Sequence, residues 1–184
     1  MDGHDHLCLA CLQDPPPFAW ALAVGRYEKT LRSAVQRFKY QGDFNLDRPL
    51  AWLLYDALQQ ALRDFRPDLL VAVPLHSARL RHRSYNQSLL LARALGKRMQ
   101  LPVPARLLTR TRPTPPQIGL KAIERRRNLR GAFAVRGVLD GERVLLIDDV
   151  MTTGATAREC SRTLLEAGAG AVAVAVLARA ARLS

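Results

Sequence analysis

Apolar residues recur along the first third of the chain at the spacing of helices. In the segment EKTLRSAVQRFKYQG, Leu31, Ala34, Val35 and Phe38 follow one another at three- and four-residue intervals, and Gly42 is a suitable stop. This pattern is typical of a helix that buries one face. The same spacing predicts a second amphipathic helix over 50–65.

Three later runs are apolar throughout, as in strands that are buried on both faces of a sheet. They are LLVAVP (69–74), RVLLID (143–148) and AVAVAVLA (171–178). Helical patterns over 84–99, which Asn86 or Ser84 could cap, and over 156–167 alternate with them, and a short strand is predicted near 106–108. Strands that alternate with helices imply right-handed crossovers. We therefore predict an α/β fold with a parallel, Rossmann-like sheet.

The stretch VLLIDDVMTTGAT, Val144 to Thr156, places two adjacent acids at the end of a predicted buried strand. Like charges there are costly unless a cation or hydrogen-bond donors meet them. The following turn offers backbone N–H groups, hydroxyls and a helix N-terminus, which suit a phosphate. The acids suit two vicinal sugar hydroxyls and Mg²⁺. We predict a sugar-phosphate site; the alternative is a plain N-capped helix, which needs only one such residue.

Positive charge is concentrated in one part of the chain. The net charge is +12, and residues 79–130 hold 14 lysines and arginines against one acid, Glu124. The remaining residues hold 14 lysines and arginines and 15 acids. The concentration indicates a polyanionic partner at this segment, such as pyrophosphate or nucleic acid. Arginines on solvated faces are the alternative.

Several classes of protein do not fit the sequence. The start, MDGHDH, lacks the basic and apolar regions of a secretory signal, and the longest uncharged run, 167–178, is too short for a membrane span. Three cysteines do not suggest a disulfide framework, so we expect a cytoplasmic protein. The P-loop pattern GxxxxGK[ST] is missing, and Gly168 to Gly170 lie between a helix and a strand, which excludes a dinucleotide fingerprint.

The motif resembles the phosphoribosyl-pyrophosphate signature of type I phosphoribosyltransferases, and the chain as a whole resembles their competence-associated ComF/GntX branch. The resemblance rests on RVLLIDDVMTTGAT and on further segments: FKYQGD (38–43), VPLH (73–76), RHRSYNQSLLLARAL (81–95), TPPQIGLKAIERRRNLRGAF (114–133) and AGAGAVAVAVLAR (167–179). The family usually has Gly where this chain has Ser84, which matters if the backbone there requires a positive φ.

The resemblance implies a type I phosphoribosyltransferase fold with a small N-terminal hood. We assign residues 1–17 to a tail, 18–66 to a helical hood and 67–184 to the core, with a flexible basic loop over 109–130. The implied activity is the transfer of ribose 5-phosphate from phosphoribosyl pyrophosphate to a nitrogen acceptor, with Mg²⁺ as cofactor. The sequence does not indicate the acceptor. The resemblance also implies a homodimer.

The resemblance assigns roles to particular residues. Donor binding falls to the signature itself: Asp148, Asp149, Val150, Met151, Thr152, Thr153, Gly154, Ala155 and Thr156. Pyrophosphate contacts are expected from Leu75, His76, Arg79 and Arg83. The catalytic residues are expected to be Asp148 and Asp149, which also face Mg²⁺, with Lys121 and Arg125 on the loop. Cations there would stabilise the charge that builds on the departing pyrophosphate.

An alternative function is that of a non-catalytic competence or DNA-uptake protein, in which segment 79–130 binds single-stranded DNA. Against it, the segment contains a single aromatic residue, Tyr85, for stacking on bases.

Cys8 and Cys11 form half of a zinc-knuckle pattern. The family often has four cysteines there, so we interpret the pair as a remnant of a zinc site, the alternative being that His4 and His6 complete it. This placement would be cramped for a tetrahedral metal.

Overall fold

The computed structural model describes residues 9–75, 80, 84–112 and 128–180. Its helices are α1 Leu9–Gln13, α2 Lys29–Tyr40, α3 Asp47–Phe65, α4 Gln87–Met99 and α5 Ala155–Glu166, with a 3-10 turn at Phe44–Leu46. Its strands are β1 Ala21–Arg26, β2 Leu69–Ala72, β3 Leu108–Arg110, β4 Phe133–Val135, β5 Arg143–Met151 and β6 Ala171–Arg179. None of the helices in the described ranges is long and apolar enough to cross a membrane.

Four strands form one parallel sheet in the order β1-β6-β5-β2. This confirms the predicted parallel α/β architecture. The two central strands, β5 and β6, are nine residues long and contain runs of buried apolar side chains, because helices cover both of their faces. Strand β1 comes from the short apolar run after Trp20. Its side chains are only half-buried, as suits an edge strand, and its pattern was too short to predict.

Each face of the sheet carries its own apolar core. On one face, α2, α3 and α4 pack through residues such as Phe38, Leu58 and Leu91 against Leu145 and Ile147 of β5. On the other face, α5 packs with β3 and β4 against the alternate side chains of β5 and β6. The helices of the predicted hood thus lie directly on the central strands. Side chains of these helices can therefore reach the acids at the end of β5 directly.

A second, two-stranded antiparallel sheet pairs β3 with β4 and so brings together the chain on either side of the predicted basic loop. Arg112 closes the base of the loop: its Nη2 donates to the carbonyl oxygens of Asn128 at 3.0 Å and Arg130 at 2.8 Å. The cation of Arg112 is therefore engaged within the protein.

Two residues set the entrance to α4. The Asn86 side chain accepts hydrogen bonds from the N–H groups of Ser88 at 3.0 Å and Leu89 at 3.4 Å, so Asn86 is the cap of this helix. Its Nδ2 donates to the carbonyl oxygen of Val73 at 3.1 Å, which ties the helix to the end of β2. Ser84 has φ +64°, a left-handed conformation that favours glycine. The position is therefore strained by its serine.

Candidate functional site

The two adjacent acids lie at the carboxyl edge of the sheet. Strand β2 pairs with β5 only as far as Ile147, so Asp148 and Asp149 extend beyond it, while β6 still pairs with Asp148 through Val176. Successive side chains of a strand point to opposite faces. Asp148 is half-buried, whereas Asp149 is only 4% exposed and faces the hood helices.

Asp149 is held by side chains of the protein itself. Its Oδ1 forms an ion pair with Nζ of Lys39 at 2.8 Å, and its Oδ2 accepts a hydrogen bond from Nε2 of Gln87 at 2.7 Å. Lys39 belongs to the last turn of α2 and its side chain is 15% exposed. A buried ion pair is tolerated when such additional hydrogen bonds complete it. Asp149 therefore already has the cation that the sequence pattern required.

The charge state of Lys39 follows from this contact. Burial by itself lowers the pKa of Lys39, but the charge and hydrogen bond of Asp149, together with the charge of Asp148, outweigh burial and leave the pKa raised. The ammonium group is therefore charged at neutral pH. It links the hood helix α2 to the end of β5 as a fixed cation.

Asp148 has a different environment. Its Oδ1 accepts hydrogen bonds from Oγ of Ser88 at 2.9 Å and from the N–H of Asp149 at 2.9 Å. Burial and the neighbouring charge of Asp149 raise the pKa of Asp148 from 3.8 to about 7, although Lys39 and the hydrogen bonds oppose this rise. Among the described residues, the two groups that donate to Asp148 both donate to its Oδ1. Of the two acids, Asp148 is thus the one placed to meet a ligand.

The turn after β5 leads straight into the N-terminus of α5. Gly154, with φ +77°, occupies the cap position, and Thr153 Oγ1 accepts from the N–H of Ala155 at 3.4 Å. Thr152 is exposed, and Thr153 and Thr156 are half-buried. The first N–H groups of a helix lack partners within the helix and attract anions. Hydroxyls and N–H groups therefore converge where a phosphate could bind.

Within the signature, Val150 and Met151 contribute differently from their neighbours. Val150 is half-buried and packs on the core of the hood face, and Met151 is buried in the opposite core. The Met151 carbonyl oxygen accepts from the N–H of Ala180 at 3.0 Å. These side chains hold the signature in place.

Several residues singled out from the sequence lie outside the described residues: Cys8, His76, Arg79, Arg83, Lys121 and Arg125. Their roles stay predictions. Leu75 is half-buried, three residues after the end of β2. Cys11 lies near Arg158 of α5, whose Nη2 is 3.8 Å from its Sγ.

Sequence reasoning missed Lys39 and Ser88. Leu31, Val35 and Lys39 are spaced every four residues, so Lys39 continues the apolar stripe of α2. A lysine on an apolar stripe needs a buried anion, and the two adjacent acids need a cation. The sequence could therefore have indicated that Lys39 pairs with one of the two acids. Gln87, the first residue of α4, also donates to Asp149.

The fit of a magnesium ion can be judged from the donor set. Among the described residues, no group of three or more His, Cys, Asp or Glu side chains could hold a metal ion. Mg²⁺ commonly binds through one or two carboxylates, waters and the phosphates of a substrate. Both oxygens of Asp149 are engaged, so the residues fit an ion held by Asp148 together with a bound diphosphate.

Comparison with protein families and known sequences gives concordant matches. The phosphoribosyl transferase domain family matches residues 86–183. Competence protein F of Haemophilus influenzae is 37% identical over 179 residues, which cover 94% of this chain and 78% of that protein. The DNA utilization protein YhgH of Escherichia coli K12 is 36% identical over 180 residues, which cover 96% and 79% of the two chains.

Among solved structures, a purine phosphoribosyltransferase from Pyrococcus horikoshii superposes with a TM-score of 0.44 at 17% identity. The alignment covers 71% of this chain and 72% of that one.

The ion pair of Lys39 leads to a stability prediction. In Lys39→Met the carboxylate of Asp149 stays buried without its cation, and we expect a loss of about 3 kcal/mol in the free energy of unfolding. The control is Arg37→Met on the same helix as Lys39, which breaks the ion pair of Arg37 with Asp43. Because Arg37 is exposed, that change should cost less than about 1 kcal/mol. Urea denaturation measures both, and equal losses would contradict the assignment.

The raised pKa of Asp148 predicts a dependence of stability on pH. The folded state keeps a proton on Asp148 up to about pH 7, whereas the unfolded chain releases it near 3.8. The contribution of Asp148 to stability is therefore complete below about pH 4 and is lost as the pH rises through about 7. Asp148→Asn retains an acceptor oxygen and has no proton to lose.

We therefore expect the stability of Asp148→Asn relative to the unaltered protein to increase between about pH 5 and about pH 8. Urea denaturation midpoints across this range measure the difference. Asp56→Asn, at an exposed position of α3, is the control for removal of a carboxylate. If the difference in stability between Asp148→Asn and the unaltered protein does not change with pH, the prediction is contradicted.

Proposed function

Because this chain belongs to the ComF family of proteins with a phosphoribosyl transferase domain, we propose that it binds phosphoribosyl pyrophosphate at the carboxyl edge of its sheet. It transfers ribose 5-phosphate from this donor to a nitrogen acceptor and releases pyrophosphate.

The observation that supports this proposal is the arrangement around the end of β5. One acid, Asp148, is half-buried and adjoins a turn of hydroxyl residues that ends at the N-terminus of α5. The turn suits the 5-phosphate, since helix N-termini favour anions. The carboxylate of Asp148 suits the ribose hydroxyls, since it can accept their hydrogen bonds.

A second acceptor lies beside the same acids. Gln87 is buried, its Nε2 is used by Asp149, and its Oε1 accepts no hydrogen bond from the described residues. A buried acceptor without a donor is costly. This oxygen is enclosed by the protein, so the side-chain hydrogen bond of Gln87 is the one by which it holds Asp149 in place.

Bound Mg²⁺ would be held by Asp148 and the diphosphate and would supply positive charge to the leaving group. The protein adds its own cations, and segment 79–130 has a net charge of +13. In the transfer, the lone pair of the acceptor nitrogen forms a bond to C1 of the ribose. The bond from C1 to the pyrophosphate oxygen breaks, pyrophosphate leaves with the electron pair, and the proton of the nitrogen passes to solvent. Cations at the departing diphosphate accelerate this step when they bind it more tightly in the transition state.

Binding of the donor can be tested one acid at a time. Isothermal titration with phosphoribosyl pyrophosphate and Mg²⁺ at about pH 8, above the raised pKa of Asp148, should show binding to the unaltered protein. Asp148→Asn should weaken it by about tenfold or more, since hydrogen bonds to a charged group are lost. Asp149→Asn keeps an acceptor for Lys39 and should weaken binding far less.

No binding by the unaltered, folded protein would overturn the proposal. Equal losses in the two variants would leave donor binding standing but refute the different roles of the two acids. Circular dichroism on each variant controls for folding.

A second candidate function is the handling of single-stranded DNA, with or without transfer chemistry. It is favoured by two observations: the relatives are a competence protein and a DNA utilization protein, and segment 79–130 is strongly basic. Contacts to phosphates release counterions, so log affinity should fall with log salt by about 0.7 per contacted phosphate.

We therefore expect a slope of about −2 or steeper for oligothymidylate, measured by fluorescence anisotropy at several salt concentrations. An affinity that salt leaves unchanged would rule out this use of the basic segment.

A further inference from the structure

The hood and the basic segment each contribute an aromatic ring to one pair. The rings of Phe44 and Tyr85 have centroids 4.8 Å apart and planes inclined at 68°, an edge-to-face arrangement. Phe44 belongs to the 3-10 turn between α2 and α3, and Tyr85 lies 41 positions further along the chain. Segment 79–130 contains one aromatic residue, Tyr85, and the fold places the ring of Phe44 against it.

The ring pair is held in place by further contacts. The Tyr85 hydroxyl donates to the carbonyl oxygen of Phe38 in α2, and Phe38 is fully buried. Asn86, the next residue after Tyr85, caps α4. An aromatic ring that is fixed in this way loses little conformational entropy when a ligand stacks on it.

The pair is nevertheless accessible. Phe44 is 53% exposed although it is a large apolar side chain, and Tyr40, at the end of α2, is 67% exposed. Tyr40 is also close enough to Lys39 to affect the pKa of that lysine. Tyr40 therefore lies close to the ion pair of Lys39 and Asp149.

Positive charge accompanies these rings in the sequence. Three arginines, Arg79, Arg81 and Arg83, occur within the six residues before Tyr85. Single-stranded nucleic acids are bound by this combination of cations for the phosphates and aromatic faces for the bases. A free base would need only the rings, and a duplex would keep its bases stacked inside.

We propose that Phe44, supported by Tyr85, is a stacking site for a base of a single-stranded nucleic acid. The inference rests on the second candidate function and adds to it the residues that contact bases.

The test separates bases from phosphates. Fluorescence anisotropy compares a labelled oligothymidylate with an abasic deoxyribose-phosphate strand of the same length and charge. The unaltered protein should bind the base-bearing strand about 5- to 100-fold more tightly, the range measured for stacking of one base. In Phe44→Leu, which keeps an apolar side chain without the ring, this preference should fall to a few-fold at most. Phe44→Tyr should retain it.

Trp52→Leu is the matched control, since Trp52 is a 50% exposed aromatic residue on α3 of the same hood. Its preference for the base-bearing strand should equal that of the unaltered protein. Equal affinities of the unaltered protein for the two strands, or a preference that survives Phe44→Leu, would overturn the stacking site while leaving phosphate binding intact. No binding of either strand would refute the second candidate function itself and the stacking site with it.

Competition with free thymidine distinguishes a nucleoside site from a strand site. If thymidine displaces the strand at concentrations near the affinity of the strand itself, the ligand is the free nucleoside and the proposal is wrong. Titration with phosphoribosyl pyrophosphate should give the same affinity for Phe44→Leu as for the unaltered protein. A loss of base stacking can thus be distinguished from a loss of donor binding.

Discussion

The ion pair between Lys39 and Asp149 is the constraint on which the rest of the site depends. Two acids at the end of a buried strand cannot both remain charged without a cation. Among the described residues, the cation that forms an ion pair with Asp149 is Lys39 of α2. The contact fixes the last turn of α2 over the end of β5. The helix carries with it Tyr40 and the turn that holds Phe44. One buried charge pair thus fixes Asp149 and the end of α2, from which the chain continues to Phe44.

A consequence of this pairing is that the two acids have different surroundings. Asp149 is enclosed by Lys39 and Gln87. Asp148 is more open, is hydrogen-bonded through one oxygen, and adjoins the turn before α5. A site that binds a sugar and its phosphate then needs one carboxylate, a helix N-terminus and nearby cations. In the sequence signature the two acids look equivalent, and the structure shows that their surroundings differ.

Much of the fold could be predicted from the sequence, because buried parallel strands appear as unbroken apolar runs and the helices have regular stripes. Strand β1 escaped prediction since an edge strand buries less and its run is short. The turn before α5 was predictable from Gly154 and its hydroxyl neighbours. The roles of Lys39 and Phe44 were not, since both depend on contacts between residues far apart in the chain, Lys39 with Asp149 and Phe44 with Tyr85. Local patterns contain no information about such partners.

A double-mutant cycle on Lys39 and Asp149 tests most directly whether this ion pair organises the site. The free energies of unfolding of Lys39→Met, Asp149→Leu and the double variant are compared with that of the unaltered protein. A pair that is buried and mutually dependent should give a coupling energy of about 2 kcal/mol or more, with the double variant more stable than Lys39→Met alone. A coupling energy below about 0.5 kcal/mol would show that the two residues act independently and would contradict the division of roles between the acids.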